Sequence, residues 1–224
     1  MDKMEDEGIR LLEEGKLRRA ERVFKKLLEI DPNCLTAHFQ LARVHRRTKE
    51  YKDALFHARR TLKLNHNEPN ACLNLGLIYE LIGQHRLAVL YYKRELSRNS
   101  TNPETLWNIG RLYFKKHRWL LASTYLRRCF ETGFMFEIDY TVQKLGFCYY
   151  KLNDLKSYID TYASYLQMFP NASWAYANLG SALLRAKDYK GAVLKLSRAK
   201  QLGTKKSVAQ ELERARKMLK GGNL

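Results

Sequence analysis

Proline and glycine are scarce, 4 and 12 of 224 residues. So few breakers argue against a turn-rich β-sandwich and leave room for long helices. Four cysteines, at positions 34, 72, 129 and 148, form no close pair. Neither a disulfide framework nor a zinc knuckle is suggested. No stretch approaches the roughly 18 apolar residues of a membrane span. Acidic residues are in deficit, 23 against 41 Lys+Arg, for a formal charge of +18. A hydrophobic content of 45% with 12% aromatics excludes a disordered or collagenous chain. The length suits one or two ordinary domains with a sizeable core. The expected setting is soluble, reducing and cytoplasmic.

What is present is a repeat. Small residues recur at Gly8, Ala42, Gly76, Gly110, Gly146 and Gly180, at intervals of 34, 34, 34, 36 and 34. Twelve residues after each stand Ala20, Ala54, Ala88, Ala122, Tyr158 and Ala192, with Tyr158 out of pattern. A third column, three residues beyond the first, reads Leu11, His45, Tyr79, Tyr113, Tyr149 and Leu183. A fourth, one before it, reads Glu7, Leu41, Leu75, Ile109, Leu145 and Leu179. Four phased columns over six units are the signature of a repeat architecture.

Each unit reads as two amphipathic helices. Within 69–102, Leu73, Leu75, Gly76 and Tyr79 form one stripe, Gly83 breaks it, and Leu87, Ala88, Tyr91, Tyr92 and Leu96 form a second. The prolines at 32, 69, 103 and 170 fall near unit boundaries, where a missing N–H costs least. One helix pair cannot bury its own apolar face, so neighbours must stack.

These columns resemble the tetratricopeptide repeat (TPR). "LNLGLIYELIGQHRLAVLYYKREL" (73–96) and "ANLGSALLRAKDYKGAVLKLSRAKQL" (177–202) carry its pattern, and "EEGKLRRAERVFKKLLEIDPN" (13–33) is similar to the second half of such a repeat. The resemblance implies an all-α, right-handed superhelical solenoid of six helix-turn-helix units. They would be 1–34, 35–68, 69–102, 103–138, 139–172 and 173–206, followed by a capping helix at 207–220 and a flexible tail at 221–224. Residues 1–220 would form a single array. A first unit beginning at Met1 leaves no room for a cleaved targeting segment, which accords with a cytoplasmic protein.

Two units depart from the pattern. Glu7 stands where the column wants an apolar residue, so the first helix frays or docks elsewhere. The fifth unit follows a two-residue insertion in "GFMFEID" (133–139) and carries Tyr158 in place of a small residue. That ring either wedges its helix pair apart or is absorbed by local repacking.

Signatures of catalysis are absent: no GxxxxGK[ST], no strand-flanked GxGxxG, no HExxH and no GxSxG. His38 and His45 are seven apart on one helix face, yet no carboxylate or cysteine has ligand spacing beside them. They read as packing residues rather than metal ligands, and His57, His66, His85 and His117 carry no signal. No metal or cofactor is expected. Cys129 and Cys148 fall on adjacent helices and read as buried free thiols.

The resemblance places the first helices on the concave face. Their inward column reads Asp6, Gln40, Asn74, Asn108, Lys144 and Asn178. A carboxamide can pair with both groups of one peptide unit, which suits Asn74, Asn108 and Asn178, although ordinary half-exposed polar residues would read the same way. Neighbouring inward columns supply Arg43, Arg47, Arg111, Lys115, Lys151 and Arg185, with Trp107, Phe114, Tyr140, Phe147, Tyr150 and Trp174 among them. Of 26 aromatics, 18 fall within 103–176, which concentrates candidate anchors in the later repeats. The expectation is a basic, aromatic-lined groove across repeats three to six that takes an extended, acidic or C-terminal peptide. The Lys/Asn pairs of the family's chaperone-tail clamp are missing: Phe39/Arg43, Leu73/Leu77 and Trp107/Arg111 stand in the corresponding places.

The charge has other readings. By unit it runs −1, +5, +2, +3, 0 and, from 173 onward, +9. Much of this is the solvated face of second helices. The near-neutral first unit, with acidic Asp2, Glu5, Asp6, Glu7, Glu13 and Glu14, complements the basic end, and head-to-tail contact between unlike surfaces generates rings or filaments. A self-assembling scaffold on an anionic membrane or organelle surface is therefore the alternative to a peptide adaptor. Nucleic acid is the weakest partner, because no base-reading pattern accompanies the arginines and lysines.

Overall fold

The computed structural model describes residues 2–133, 137–203 and 206–221. Among them are thirteen helices and no strand. They are α1 (Asp2–Glu13), α2 (Leu17–Ile30), α3 (Leu35–Thr48), α4 (Tyr51–Leu64), α5 (Ala71–Leu81), α6 (His85–Leu96) and α7 (Pro103–Lys115). Then follow α8 (Trp119–Glu131), α9 (Ile138–Lys151), α10 (Leu155–Met168), α11 (Ser173–Arg185), α12 (Tyr189–Gln201) and α13 (Lys206–Gly221). This is an all-α helical repeat of the solenoid class. Packing groups the chain into two compact units, residues 1–108 and 109–224, with the division inside α7. The sequence reading treats 1–220 as a single array.

The small-residue column is a packing device. In the N-terminal unit, a Cβ added at Gly8 would lie 2.6 Å from the Phe24 ring, and one at Gly76 would lie 2.4 Å from Tyr92. In the C-terminal unit, Gly110, Gly146 and Gly180 face Leu126, Tyr162 and Leu196 at 2.7, 2.7 and 2.6 Å. Each partner is the residue sixteen positions on, on the second helix of the same pair. Repeat two has Ala42 and Ala58 there, both buried. The alanine column serves the same seam: Ala20, Ala54, Ala88, Ala122 and Ala192 are all fully buried.

The turns within pairs are equally regular. Gly15, Lys49, Gly83, His117, Asn153 and Lys187 all have positive φ, between 56° and 80°. The next residue's N–H closes back on the third column: Lys16 to the Leu11 carbonyl at 2.8 Å, Glu50 to His45 at 2.8 Å, Gln84 to Tyr79 at 2.8 Å. Arg118 to Tyr113, Asp154 to Tyr149 and Asp188 to Leu183 repeat it at 3.0, 2.9 and 3.0 Å. This is the six-to-one bond of a left-handed helix cap. Asp154 and Asp188 also cap the helices they precede, accepting from Ser157 N and Gly191 N.

Leu11, Leu12, Phe24, Leu27, Leu41 and Val44 form a core in the N-terminal unit. Glu7, which departs from the apolar column, is exposed. In the C-terminal unit one cluster joins Val142, Tyr162, Tyr165, Leu166 and Leu179, and another joins Ala192 and Leu196 to Val208, Leu212 and Ala215 of α13. Burying Leu212 there contributes about 1.5–3 kcal/mol, while Arg214, Arg216, Lys217 and Lys220 stay exposed. The tail expected at 221–224 begins at the last residue of α13, and 222–224 lie outside the described residues, as do 134–136 of the insertion.

α9 and α10 pack less closely than α1–α2, α3–α4, α5–α6 or α11–α12, in line with a ring in the alanine column. Tyr162 fills the space against Gly146. Tyr158 packs on the Tyr162 ring at 4.8 Å and donates its hydroxyl to Asn178 Oδ1 on α11 at 3.2 Å.

Candidate functional site

The C-terminal unit gathers rings and cations from α7, α8, α9 and α11. Lys144 Nζ lies 4.2 Å from the centre of the Phe114 ring and 4.1 Å from that of Tyr140. Lys151 Nζ lies 5.3 Å from Phe147 and 6.0 Å from Tyr150, and Arg185 Cζ lies 5.0 Å from Tyr150. These distances fall within the range of cation–π attraction. Phe114, Trp119 and Phe147 pack mutually, with centroids 5.3 to 5.5 Å apart. Tyr140, Phe147 and Tyr150 are nonetheless 48%, 41% and 52% exposed. The helical period explains the convergence: Tyr140, Lys144, Phe147 and Lys151 are spaced four, three and four apart on α9.

Beside this surface is a cavity of about 350 Å³ lined by Gln143, Phe147, Tyr150, Tyr158, Tyr162, Trp174 and Asn178. None of these carries an acidic group. Asn178 donates Nδ2 to the Trp174 carbonyl at 2.9 Å and accepts from Tyr158. A carboxamide has two N–H donors and two lone pairs, so Asn178 keeps one donor and one acceptor position beyond these two bonds.

Nine of the residues singled out from the sequence thus come together: Phe114, Tyr140, Lys144, Phe147, Tyr150, Lys151, Trp174, Asn178 and Arg185. Arg111 is half-buried and Lys115 exposed on the same unit. Trp107 is a correction, since at 8% exposure it is a core ring rather than an exposed anchor. Asn108 is buried beside it and donates Nδ2 to the Glu104 carbonyl at 2.9 Å. Arg47 donates to the Leu12 carbonyl at 3.0 Å. Trp119, Gln143 and Tyr158 were missed as site residues. Tyr158 had a signal, its departure from the alanine column, and Gln143 stands in the column of Trp107; Trp119 lies off the columns followed.

The N-terminal unit holds a separate cavity of about 240 Å³ lined by Phe39, Arg43, Arg46, Asn70, Leu73, Asn74, Leu77 and Glu104. Arg46 Nε donates to Asn74 Oδ1 at 3.1 Å, which fixes the orientation of the amide. Asn74 Nδ2 is buried and makes no hydrogen bond.

His38 and His45 are buried, as packing residues are, but their surroundings need correcting. His38 Nδ1 and His57 Nδ1 are 2.9 Å apart, and His57 stacks on His45 with centroids at 5.5 Å. His38 Nε2 lies 3.1 Å from the Pro32 carbonyl, so in its neutral form it donates there and accepts from His57. Burial, with the neighbouring His38 and His45, pushes the His57 imidazole down to about 4. A carboxylate does stand beside this group: Glu50 Oε2 is 2.6 Å from His45 Nδ1, and that hydrogen bond holds Glu50 below the usual carboxylate range. Glu21, His45 and Glu50 bring ligand atoms within 4.8 Å of one another, a geometry that could hold a metal. Both carboxylates are already ion-paired, Glu21 with Arg18 and Lys25 and Glu50 with Arg18. The seven-residue spacing could not reveal this group, because Glu21 and His57 come from other helices.

Cys34, Cys72, Cys129 and Cys148 are buried thiols. Burial pushes the Cys129 and Cys148 thiols up to about 11 and about 12, far from a reactive thiolate. No helix among the described residues is long and apolar enough to cross a membrane.

Paired helices on a beat of about 34 residues, each with a small-residue seam and a left-handed turn, define a helix-turn-helix repeat protein. Three tetratricopeptide repeat family models match, over residues 11–75, 71–104 and 142–172. The chain belongs to the tetratricopeptide repeat family, whose fold generally serves as a scaffold for protein–protein interaction. Among curated proteins, no sequence matches it. Among solved structures it is similar to YrrB, a TPR protein with an unusual peptide-binding site, at 18% identity and a TM-score of 0.63, covering 85% of this chain and 97% of that one. The C-terminal part of a TPR repeat-containing protein from Cytophaga hutchinsonii superposes with a TM-score of 0.71 at 19% identity, covering 88% and 78%. MamA gives 0.58 at 21% identity, covering 75% and 91%. At such identities the likeness is one of fold.

Proposed function

We propose that this protein is a non-enzymatic adaptor that holds an extended acidic segment of a partner protein on the surface formed by α7, α9 and α11. The observation that carries this reading is the coincidence of three exposed rings, Tyr140, Phe147 and Tyr150, with Lys144, Lys151 and Arg185. Rings beside cations bury area while the cations meet carboxylates, the composition of interface anchors. The adjacent cavity has no acidic side chain to repel such a segment. Asn178 supplies amide capacity for its backbone. The peptide-binding site of the similarly folded YrrB accords with the reading.

Calorimetric titration with a short peptide of aspartate, glutamate and glycine tests it, with a lysine-and-glycine peptide as control. Selective, salt-sensitive binding of the acidic peptide that is abolished by Lys144→Glu with Lys151→Glu is the expected result. Equal binding of both peptides, or none, overturns the reading.

A further inference from the structure

Tyr158 occupies the column in which Ala20, Ala54, Ala88, Ala122 and Ala192 are fully buried. An alanine there would end at the seam between α9 and α10. The tyrosine instead reaches α11 through its hydroxyl bond to Asn178, and its ring becomes a wall shared by two cavities. One is the 350 Å³ cavity described above; the other, of about 210 Å³, shares Tyr150 and Tyr158 with it. The smaller cavity lies among Tyr149, Tyr150, Leu155, Tyr158, Ala182 and Arg185.

Its size and chemistry narrow the occupant. Small-molecule sites run to about 300–1,000 Å³, so this cavity is scaled to one side chain. Two of its polar neighbours are engaged: the Asp154 carboxylate accepts from Ser157 N at 3.0 Å, and the Ser181 hydroxyl pairs with Glu211. Besides the Asn153 amide, what is offered is ring faces, two aliphatic side chains and the Arg185 guanidinium over Tyr150. Ring pairs favour offset or edge-to-face packing in such a setting.

We infer that this cavity is an anchor pocket for a single aromatic side chain of the acidic segment, with a neighbouring carboxylate of that segment at Arg185. The inference rests on the adaptor reading and adds a specificity to it: charge alone is insufficient, and an aromatic residue within the acidic run sets affinity.

Two peptides of aspartate, glutamate and glycine, identical except for one central phenylalanine or alanine, are titrated against the full chain by fluorescence anisotropy. The phenylalanine peptide is expected to bind about tenfold more tightly. Ala182→Leu, which fills the pocket, is expected to erase that difference while weak binding of the acidic run persists. Equal affinity of the two peptides for the unmodified protein overturns the inference and leaves the adaptor reading standing. A preserved tenfold difference in folded Ala182→Leu also overturns it. If neither peptide binds, both readings fall. Should a variant not fold, the comparison on the unmodified protein still decides.

Discussion

The ammonium of Lys144 sits 4.2 Å from the centre of the Phe114 ring, its cation held on an aromatic face rather than opposite a carboxylate. A cation so placed keeps most of its charge available to an incoming anion. Lys144→Met should therefore leave stability within about 1 kcal/mol and weaken binding of the acidic peptide several-fold. Titrations at two salt concentrations check this: the variant's affinity should fall less steeply with salt.

Gly76 is occupied by its neighbour. A methyl group there would lie 2.4 Å from the Tyr92 ring, which is fully buried and has nowhere to retreat. Gly76→Ala should cost about 1–3 kcal/mol through overpacking. At Gly83, where φ is 80° and nothing lies within 4 Å, alanine should cost about 1–2 kcal/mol from backbone strain alone. Urea denaturation of both variants measures the difference, and adding Tyr92→Leu should recover part of the loss only at Gly76.

Lys187 holds φ at 63° in the turn between α11 and α12. Its side chain is exposed, so the strained backbone has no packing to offset it. Lys187→Gly should raise stability by about 0.5–1 kcal/mol, because glycine adopts this region without a Cβ clash. Thermal unfolding followed by circular dichroism reads the shift.

Acid should weaken the protein through the histidine group. Folded His57 stays neutral down to about 4, whereas its unfolded imidazole takes up a proton near 6.5. Between these values the unfolded state binds more protons, so stability is full above about pH 7 and falls as pH drops toward 4. Glu50, whose folded carboxyl is held low by His45, loses stability in the same direction at the acidic end. Allowing for partial solvent screening, the fall from pH 7.5 to 5 should be about 1–2 kcal/mol. Denaturation at both values tests it, and His57→Gln should flatten the dependence.

Much of the fold is legible along the chain because its signals are periodic. Gly8, Gly76, Gly110, Gly146 and Gly180 mark seams by being small, and Gly15 and Gly83 mark turns by being permissive. Lys49, His117 and Lys187 perform the same turn without the same letter, so composition alone conceals them; only register with the glycines reveals them. The site was legible in part. The spacing of Lys144, Phe147 and Lys151 on α9 places them on one face. The burial of Trp107 was not legible, since an inward column and a core column differ by one position on a helix.

What the sequence by itself determined is the unit of construction: a helix pair of about 34 residues, its small-residue seam and the breaker that turns it. Those properties are local, set by side-chain volume and by backbone dihedral preference within one pair. Tertiary structure alone decided which groups from different helices meet: His57 with His38, Tyr158 with Asn178, Lys144 with Phe114. Such partners lie about twenty to thirty positions apart. Their meeting depends on how each helix is rotated and how deeply its side chains interdigitate, quantities that no column of letters carries.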